Sequence, residues 1–256
     1  MAAQAHNGPP AEAVLLSVVV PVYNELDTWM TLLHRVRGVQ LPRGVDLQVV
    51  LVDDCSTDGT REQVEAFARK LPPDDGPSPA AVKVMFHQHN QGKGAALRTG
   101  FAAADGDILI VQDADLEYDP NDYPALLAPV LAGEAKVVYG SRYLNGRPEQ
   151  GYLANYLANR FLTGLSNLTT GLGLTDMETC YKVFRREVLA DIRIEQNRFG
   201  FEPEITAKIA RRGIGVREVP IAYRGRRRDE GKKIGWKDGL KAVWCILKYG
   251  LFRRKG

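Results

Sequence analysis

Two aspartates separated by a single residue are the side chains of this sequence best suited to chemistry. Asp113 and Asp115 directly follow the apolar run Ile108–Val111, and alternation along an extended chain lets both carboxylates point the same way. Two hard oxygen donors at a strand end suit Mg²⁺ or Mn²⁺ bridging a diphosphate, where the ion neutralises charge on a departing phosphate. Glu117 is a candidate third or water-mediated ligand. The alternative is a solvated turn, which a second acidic pair at another strand end argues against.

That second pair, Asp53 and Asp54, closes the apolar run Leu47–Val52. A carboxylate there can accept hydrogen bonds from a nucleobase or from ribose hydroxyls. The alternative is that Asp54 or Ser56 caps the helix predicted to follow. The pair therefore marks either a nucleoside pocket or a helix start.

Two further strand ends carry candidate donor contacts. Pro21, Tyr23 and Glu25 follow the first predicted strand and can floor a base pocket. Lys93 lies in the segment Q-G-K-G at a predicted helix start, where backbone N–H groups and the lysine together favour an anion. A plain surface position is the alternative for Lys93.

Apolar strands alternate with helices along the first half of the chain. The predicted strands are Leu15–Val20 (ending at Pro21), Leu47–Val52, Val82–His87, Asp107–Val111 and Val137–Tyr139. The predicted helices are Asn24–Arg37, Thr57–Leu71, Gly92–Ala104 and Asp122–Ala132. This alternation indicates an α/β fold with a parallel sheet covered on both faces, and such sheets bind ligands at the carboxyl ends of their strands.

The pattern changes after Tyr139. The predicted elements are an amphipathic stretch at Ala154–Leu174 broken by Gly164, Gly171 and Gly173, strands at Tyr181–Phe184 and Val216–Tyr223, and helices at Glu202–Arg212 and Gly235–Tyr249. The last helix is amphipathic, basic and rich in tryptophan, and such a helix can lie in a membrane interface. Packing on the domain is the alternative. Tyr152–Leu165 offers a second apolar face.

Charge is distributed unevenly along the 256 residues. The chain carries 34 Lys and Arg against 31 Asp and Glu, and residues 224–256 hold twelve of the former and three of the latter. This local excess of +9 suggests a phosphate-rich partner or an anionic membrane. It lacks the interleaved stacking aromatics of a strand-binding groove, which argues against nucleic acid.

Five segments occur in the order and at the spacing of a known family: VVVPVYNE, LVDDCSTDGT, NQGKGAALRTG, QDADLEYDP and YGSRY. In these the chain resembles family 2 glycosyltransferases with the GT-A fold, over about residues 15–250. Later segments, among them GLTDMETCYKVFRREVL and EGKKIGWKDGLKAVWCILKYG, resemble the polyprenyl-phosphate (dolichyl-phosphate) mannosyl- and glucosyltransferases. The resemblance implies a Rossmann-like, mostly parallel sheet flanked by helices, with a C-terminal helical part that faces acceptor and membrane.

The resemblance also assigns roles to individual residues. It implies that the nucleotide sugar is bound by Pro21, Tyr23, Glu25, Asp53, Lys93, Asp113 and Ala114. It implies that the metal, Mg²⁺ or Mn²⁺, is held by Asp113, Asp115 and Glu117. The catalytic set it implies is Asp115, Arg142, Arg226 and Lys232, of which the last two grip phosphates in a late flexible loop. Arg227 and Lys233 have the same spacing, so the choice between the two pairs stays open.

An inverting transfer needs a nucleophile on the face opposite the leaving diphosphate. A polyprenyl phosphate is already anionic near neutral pH and needs cations that hold two phosphates together. A hydroxyl acceptor needs a carboxylate base, for which the candidates are Asp176, Glu178, Glu202 and Glu204. Salt bridges to Arg185, Arg186 or Arg211 are the alternative for these acids. The basic C-terminal segment favours the phosphate acceptor, and a non-catalytic, nucleotide-sugar-binding membrane adaptor is a third possibility.

The chain is expected to work in the cytoplasm, peripherally bound to the inner face of the membrane. Its three cysteines are widely spaced, no signal peptide or long apolar run is present, and the sequence gives no signal for oligomeric state. The predicted domains are a disordered lead at 1–12, a GT-A catalytic domain at 13–225, and a basic loop with an amphipathic helix at 226–256. The four histidines lack metal spacing and are predicted to be surface or loop residues.

Overall fold

The computed structural model describes residues 13–72, 81–146, 153–225 and 236–251. The predicted lead at 1–12 lies outside these ranges, as do four of the phosphate-gripping candidates: Arg226, Arg227, Lys232 and Lys233. Their predicted roles therefore stay predictions.

Seven strands of the described residues form one sheet. They are β1 (Val14–Val22), β2 (Val45–Asp53), β3 (Val82–Phe86), β4 (Ile108–Val111), β5 (Val137–Ser141), β6 (Lys182–Arg185) and β7 (Arg217–Pro220). Their order is β3-β2-β1-β4-β6-β5-β7, and neighbours are parallel except for β6, which is antiparallel to β4 and β5. The predicted mostly parallel sheet is confirmed, and the reversed β6 lies in its interior.

Helices cover the sheet. They are α1 (Trp29–Arg37), α2 (Thr60–Ala68), α3 (Lys93–Ala103), α4 (Tyr123–Leu131), α5 (Leu153–Thr170), α6 (Arg186–Ala190), α7 (Phe201–Arg211) and α8 (Trp236–Leu251). Trp29 of α1 meets Phe67 of α2 edge to face, with 5.8 Å between ring centroids. Phe101 of α3 contacts Phe184 of β6 and Phe201 of α7. Burial of such apolar surface, worth about 25 cal/mol per Å², holds the layers together.

Strands β1 and β2 end level with each other, and β4 ends three residues earlier along β1, which positions the site. Val19 of β1 lies opposite Val50 of β2 and Val111 of β4, and all three are fully buried. Val22 then lies opposite Asp53. Because parallel strands present their carboxyl ends at one edge, the polar segments after β1, β2 and β4 meet there.

The C-terminal part is helical, as predicted. Helix α8 packs against α5 and α7, with Cys245 and Tyr249 buried against Ala207. At Gly250 the approach is close, because an added Cβ would lie 2.5 Å from Thr169 of α5. None of the helices in the described residues is both long enough and apolar enough to cross a membrane.

Several predicted element boundaries are wrong, for example the start of α1, which is Trp29 and not Asn24. Two others have a clear structural reason. Strand β1 continues through Pro21 to Val22 instead of ending at the proline. Backbone groups alternate in direction along a strand, and the Val22 carbonyl faces β2, so the missing N–H of Pro21 faces β4, which has already ended. Likewise α5 runs unbroken through Gly164 and ends before Gly171, whose φ is +73°.

Candidate active site

The Asp113–Asp115 segment leaves the sheet at the carboxyl end of β4. Asp113 and Asp115 are partly exposed, and Ala114 between them is buried. Residues 114 and 115 lie in a turn and not in an extended strand, so the common direction of the two carboxylates, which rests on strand alternation, stays a prediction. The chain then turns sharply. Leu116 has a φ of +63°, a conformation that is strained for a residue with a Cβ, and the Glu117 N–H donates to Asp115 Oδ1 at 3.1 Å.

This pair of carboxylates fits a divalent cation bound together with a nucleotide. No three acidic, histidine or cysteine side chains of the described ranges converge as a complete metal site. Asp113 and Asp115 would therefore share the ion with diphosphate oxygens and water, as is usual for Mg²⁺. The Asp113 carboxylate already attracts a cation, because Lys93 Nζ lies 2.9 Å from each of its two oxygens.

Lys93 is the first residue of α3 and lies between two acids. Its Nζ is also 2.9 Å from Glu202 Oε1 at the start of α7, and the Glu202 side chain is only 7% exposed. Burial by itself would lower the pKa of Lys93, but the carboxylates of Asp113 and Glu202 outweigh burial and hold that pKa well above its ordinary value. Lys93 is therefore a permanent cation at the edge of the Asp113–Asp115 pair.

The predicted anion at the start of α3 is a side chain of the protein itself. Asp54 accepts hydrogen bonds from the N–H groups of Gln91 at 2.9 Å and Gly92 at 2.6 Å, and from Asn90 Nδ2 at 2.9 Å. Asp54 thereby ties the loop after β3 to the end of β2. The anion-binding character expected of this glycine-rich turn is satisfied internally at these two N–H groups.

His87 takes part in the same network. Its predicted loop position is confirmed, because it directly follows β3, but the side chain is buried and does not lie at the surface. It is 7% exposed, with Nδ1 2.7 Å from Asp54 Oδ1 and Nε2 2.9 Å from Thr99 Oγ1. Its place directly after β3, at the functional edge of the sheet, was the available signal. His87 connects the Asp54 loop to the body of α3.

Asp53 is fully buried at the end of β2. Its Oδ2 accepts from the N–H groups of Cys55 at 3.1 Å and Ser56 at 3.3 Å, and Arg61 Nη1 lies 3.3 Å away. These contacts fix the loop between β2 and α2. A hydrogen bond that Asp53 accepts from a nucleoside stays a prediction.

The alternative that Asp54 or Ser56 caps the next helix is wrong. Helix α2 begins at Thr60, whose N–H donates to Asp58 Oδ1 at 3.0 Å, and it is preceded by Gly59 with a φ of +99°. Asp54 is engaged instead with the loop before α3. Both aspartates of the pair are thus at the candidate site.

The loop after β1 lies beside the loop after β2. Tyr23 and Glu25 of this loop are partly exposed, as is Pro21 near the end of β1. Asn24, with a φ of +53°, accepts the Thr57 N–H on Oδ1 at 2.8 Å and so joins the two loops. The residues predicted to form a nucleoside pocket therefore share one rim of the sheet.

Arg142 follows β5 and forms a two-pronged, buried ion pair with Asp176. Nε lies 2.7 Å from Oδ2 and Nη2 lies 2.8 Å from Oδ1, where Asn159 also donates at 3.0 Å. The guanidinium carbon is 5.4 Å from the ring centroid of Tyr143 and 5.1 Å from that of Tyr223. Burial would lower the pKa of Arg142, but Asp176 raises it above its ordinary value. This is a fixed, fully charged cation.

Of the four predicted base candidates, Glu202 pairs with Lys93 as described above, and Asp176 and Glu204 are engaged in structural contacts. Burial would raise the pKa of Asp176, yet Arg142 lowers it. Glu204 accepts two backbone N–H groups of the preceding loop and pairs with Lys208 at 2.5 Å. The salt-bridge alternative is thus confirmed in kind for these two acids, and the cations are Arg142 and Lys208.

Glu178 differs from the other three candidates. Its Oε1 is buried and has no hydrogen-bond partner. Burial and the nearby Glu202 both raise the pKa of Glu178, so this carboxyl holds a proton more tightly than an ordinary glutamate. A group with these properties is the one candidate base whose protonation can change near neutral pH.

The turn after Asp115 carries the start of the basic C-terminal segment. Glu117 Oε2 accepts from the Tyr223 hydroxyl at 2.9 Å, and the Glu117 carbonyl accepts the Arg224 N–H at 2.9 Å. Tyr118 and Tyr223 form an isolated antiparallel bridge. The chain thus enters its most basic stretch directly beside the Asp113–Asp115 pair.

Two supporting residues were absent from the sequence predictions. Glu218 of β7 accepts the N–H groups of Thr175 and Asp176 at 2.8 and 3.0 Å. Lys182 is fully buried in β6, with Nζ 3.8 Å from the ring centroid of Tyr139, and burial lowers its pKa. A lysine inside an otherwise apolar strand was the available signal.

Comparison with known proteins agrees with this geometry. The family model "Glycosyl transferase family 2" matches residues 17–193. Over 247 residues the chain is 30% identical to an undecaprenyl-phosphate mannosyltransferase of Micrococcus luteus, covering 92% of this chain and 94% of that protein. It is 29% identical to a dolichol-phosphate mannosyltransferase of Pyrococcus furiosus, covering 91% of this chain but 64% of the relative. It is 30% identical to an undecaprenyl-phosphate 4-deoxy-4-formamido-L-arabinose transferase of Edwardsiella ictaluri, covering 85% of this chain and 62% of the relative. The chain therefore spans less than two thirds of the length of the last two relatives.

Solved structures agree on the fold. Glucosyl-3-phosphoglycerate synthase from Mycobacterium tuberculosis, crystallised with Mn²⁺, UDP and glucosyl-3-phosphoglycerate, superposes with a TM-score of 0.69 at 22% identity, covering 99% of this chain and 88% of that one. The same enzyme crystallised with Mg²⁺ and UDP superposes with a TM-score of 0.66 at 23% identity, covering 95% of this chain and 82% of that one. The GT-A fold implied by the sequence motifs is confirmed. The chain belongs to glycosyl transferase family 2, a family of sugar-transferring enzymes.

Proposed function

We propose that this chain is an inverting, metal-dependent glycosyltransferase that moves a hexose from a UDP- or GDP-linked sugar to a polyprenyl phosphate. One observation carries the proposal. The basic segment, with a net charge of +9 over residues 224–256, begins at Tyr223 and Arg224, which are bonded to Glu117 two residues beyond Asp115. The basic segment thus starts beside carboxylates suited to the donor, which supports a phosphate acceptor.

The donor side is supported by the carboxyl ends of three strands. Asp113 and Asp115 would hold Mg²⁺ or Mn²⁺ on the donor diphosphate, and the bound ion would neutralise charge on the leaving group. Tyr23, Glu25 and Asp53 lie on the neighbouring rim and would receive the nucleoside. Lys93 adds a permanent positive charge beside Asp113.

The acceptor side is supported by the supply of positive charge. Arg142 is held in one orientation by Asp176 and lies over Tyr223, so it keeps its charge at the entrance of the basic segment. With Arg226 and Lys232 it would hold the acceptor phosphate against the donor. Such an acceptor oxygen is already anionic, so no base is required. Relatives named as undecaprenyl-phosphate or dolichol-phosphate sugar transferases support a phosphate acceptor.

Peripheral contact with the cytoplasmic face of a membrane is supported by the exposed apolar side chains. Among the described residues, all the large apolar side chains with high exposure except Met85 and Leu144 lie on two adjoining helices: Leu153, Leu157, Phe161 and Leu168 on α5, and Leu240, Trp244, Leu247 and Leu251 on α8. Lys241 and Lys248 interrupt the α8 series. An apolar helix face with interspersed lysines suits an anionic lipid surface.

A hydroxyl acceptor is the second candidate function, and Glu178 is the observation that favours it. Its buried, unpartnered Oε1 and raised pKa are properties of a general base. Asp176 and Glu204 are less suited, because fixed cations and N–H groups already satisfy their carboxylates. A base role for this acid predicts that transfer stops when Glu178 is replaced by glutamine.

The test is a donor and acceptor panel. The full chain is incubated with Mg²⁺ or Mn²⁺, UDP- and GDP-hexoses, and either a short-chain polyprenyl phosphate or free sugar and protein hydroxyls. The proposal predicts a lipid-linked sugar from at least one donor. Transfer to hydroxyls alone would support the second candidate, and donor binding without transfer or hydrolysis would indicate an adaptor.

A further inference from the structure

Lys93 takes the position of a cation on Asp113. Its Nζ is 2.9 Å from Oδ1 and 2.9 Å from Oδ2, so the ammonium lies across both oxygens that a metal ion would use. A divalent cation bound at Asp113 would lie within a few ångströms of this ammonium. Two like charges at that separation repel, most strongly in a partly buried site.

A second carboxylate is in place to receive the displaced lysine. Glu202 Oε1 lies 2.9 Å from the same Nζ. Glu202 is buried, so leaving its charge unpaired is costly. Lys93 can therefore leave Asp113 and still be paired, without moving into solvent.

The distance between Lys93 and Glu202 is fixed by packing between α3 and α7. An added Cβ at Gly92 would lie 2.4 Å from the Asn197 carbonyl oxygen, and one at Gly94 would lie 2.1 Å from that of Gln196. Glu204, one turn into α7, holds the Gln196 N–H at 2.8 Å. The first turn of α3 is thus clamped against the segment that leads into α7.

We propose that Glu202 is a positioning residue for the metal site. It holds Lys93 away from Asp113 when the donor's divalent cation binds, and Lys93 occupies Asp113 when the cation is absent. This inference rests on the proposed function, since it requires a metal-bound donor. It assigns to Glu202 a role through Lys93 and not through contact with the substrate.

The experiment is a double-mutant cycle on Mn²⁺ affinity. Mn²⁺ is titrated into the full chain at saturating UDP and, separately, GDP, and free Mn²⁺ is followed by electron paramagnetic resonance for wild type, Glu202→Gln, Lys93→Met and the double variant. We expect Glu202→Gln to weaken Mn²⁺ binding roughly tenfold, because Lys93 then has only Asp113. Lys93→Met should strengthen binding, and adding Glu202→Gln to it should change the affinity by less than about twofold.

Equal weakening by Glu202→Gln in both backgrounds would overturn the proposal, because it would show that Glu202 acts by its own charge. The exposed pair Lys136 and Glu187, 2.7 Å apart, provides the matched controls Lys136→Met and Glu187→Gln, which should leave Mn²⁺ affinity unchanged. Thermal melting verifies that each variant is folded.

A crystal structure of the wild type with Mn²⁺ and the nucleotide is the second measurement. Lys93 Nζ should lie on Glu202 and off Asp113, and a lysine that stays on Asp113 beside the ion contradicts the inference. Wild-type protein that binds no Mn²⁺ with either nucleotide would instead contradict the proposed function itself. If the wild type forms a lipid-linked sugar but the effects of Glu202→Gln and Lys93→Met on Mn²⁺ affinity are additive, the proposed function stands and only the role of Glu202 is removed.

Discussion

The guanidinium of Arg142 and the carboxylate of Asp176 form parallel hydrogen bonds of 2.7 and 2.8 Å at the end of β5. Asp176 is fully buried, and the Arg142 side chain is 11% exposed. The pair joins β5 to the segment before β6, and Glu218 and Asn159 bond to that same segment. The cation that we propose to hold the acceptor phosphate is thus kept in place by a buried acid.

Breaking this pair should be costly. Asp176→Asn leaves the Arg142 charge buried without its counterion, which typically costs about 3–5 kcal/mol of unfolding free energy. Urea denaturation measures the loss. The exposed pair provides the control, since Glu187→Gln should not measurably change the unfolding midpoint; equal effects of the two variants would contradict the buried ion pair.

Stability of the Asp176 pair should also depend on pH. Because Arg142 lowers the folded-state pKa of Asp176, the carboxylate contributes stability above its unfolded pKa, and this is lost as pH falls through the folded value. The loss on Asp176→Asn should therefore shrink in strongly acidic buffer. A mutational cost that is constant with pH would contradict this account.

Asp122 should behave in the opposite sense. Burial raises its pKa to about 6, although the Ala222 N–H donates to it at 2.8 Å. The folded protein then binds this proton more tightly than the unfolded chain, so stability falls as pH rises from about 4 to about 6 and levels off above. Asp122→Asn keeps an acceptor for Ala222 and removes the charge. Urea midpoints should favour the variant more at neutral pH than at pH about 4; the same difference at both would contradict the raised pKa.

Glu178→Gln distinguishes the two acceptor classes. If the acceptor is a phosphate, no base is needed, and transfer should stay within about tenfold of wild type. The variant should fold, because burial already favours the uncharged form of Glu178 and glutamine has a similar shape. Transfer is measured with polyprenyl phosphate. A loss of roughly a hundredfold or more, with donor binding preserved, would indicate general-base catalysis and a hydroxyl acceptor.

Membrane contact is tested on α8. Trp244 is 54% exposed, and Trp244→Glu should reduce binding to vesicles of phosphatidylcholine with phosphatidylglycerol by about tenfold or more, given the apolar area of tryptophan. Met85 is 37% exposed on β3, so Met85→Glu makes the same kind of change away from the α5–α8 face. Equal loss in both variants, or no loss in either, would contradict docking through α8.

Features that depend on local pattern were predictable from the sequence. Buried parallel strands are continuous apolar runs, so β1, β2 and β4 and the acidic segments after them could be located.

Features that depend on distant contacts were not predictable. The reversed strand β6 lies between β4 and β5. Its four residues carry no pattern from which these neighbours could be predicted. The pairing of Lys93 with Glu202 requires α3 and α7 to meet. The turn before α3 looked like a site for an external anion, because sequence pattern could not show that Asp54 already fills it.

The proposed metal-dependent transfer depends most on the two aspartates after β4. Crystals of the full chain grown with Mn²⁺ and UDP or GDP, measured at the manganese absorption edge, locate the ion directly. If Asp113 and Asp115 hold the ion, the anomalous peak lies within coordination distance of a carboxylate oxygen of each aspartate and of the diphosphate. A bound nucleotide whose ion touches neither aspartate would contradict it.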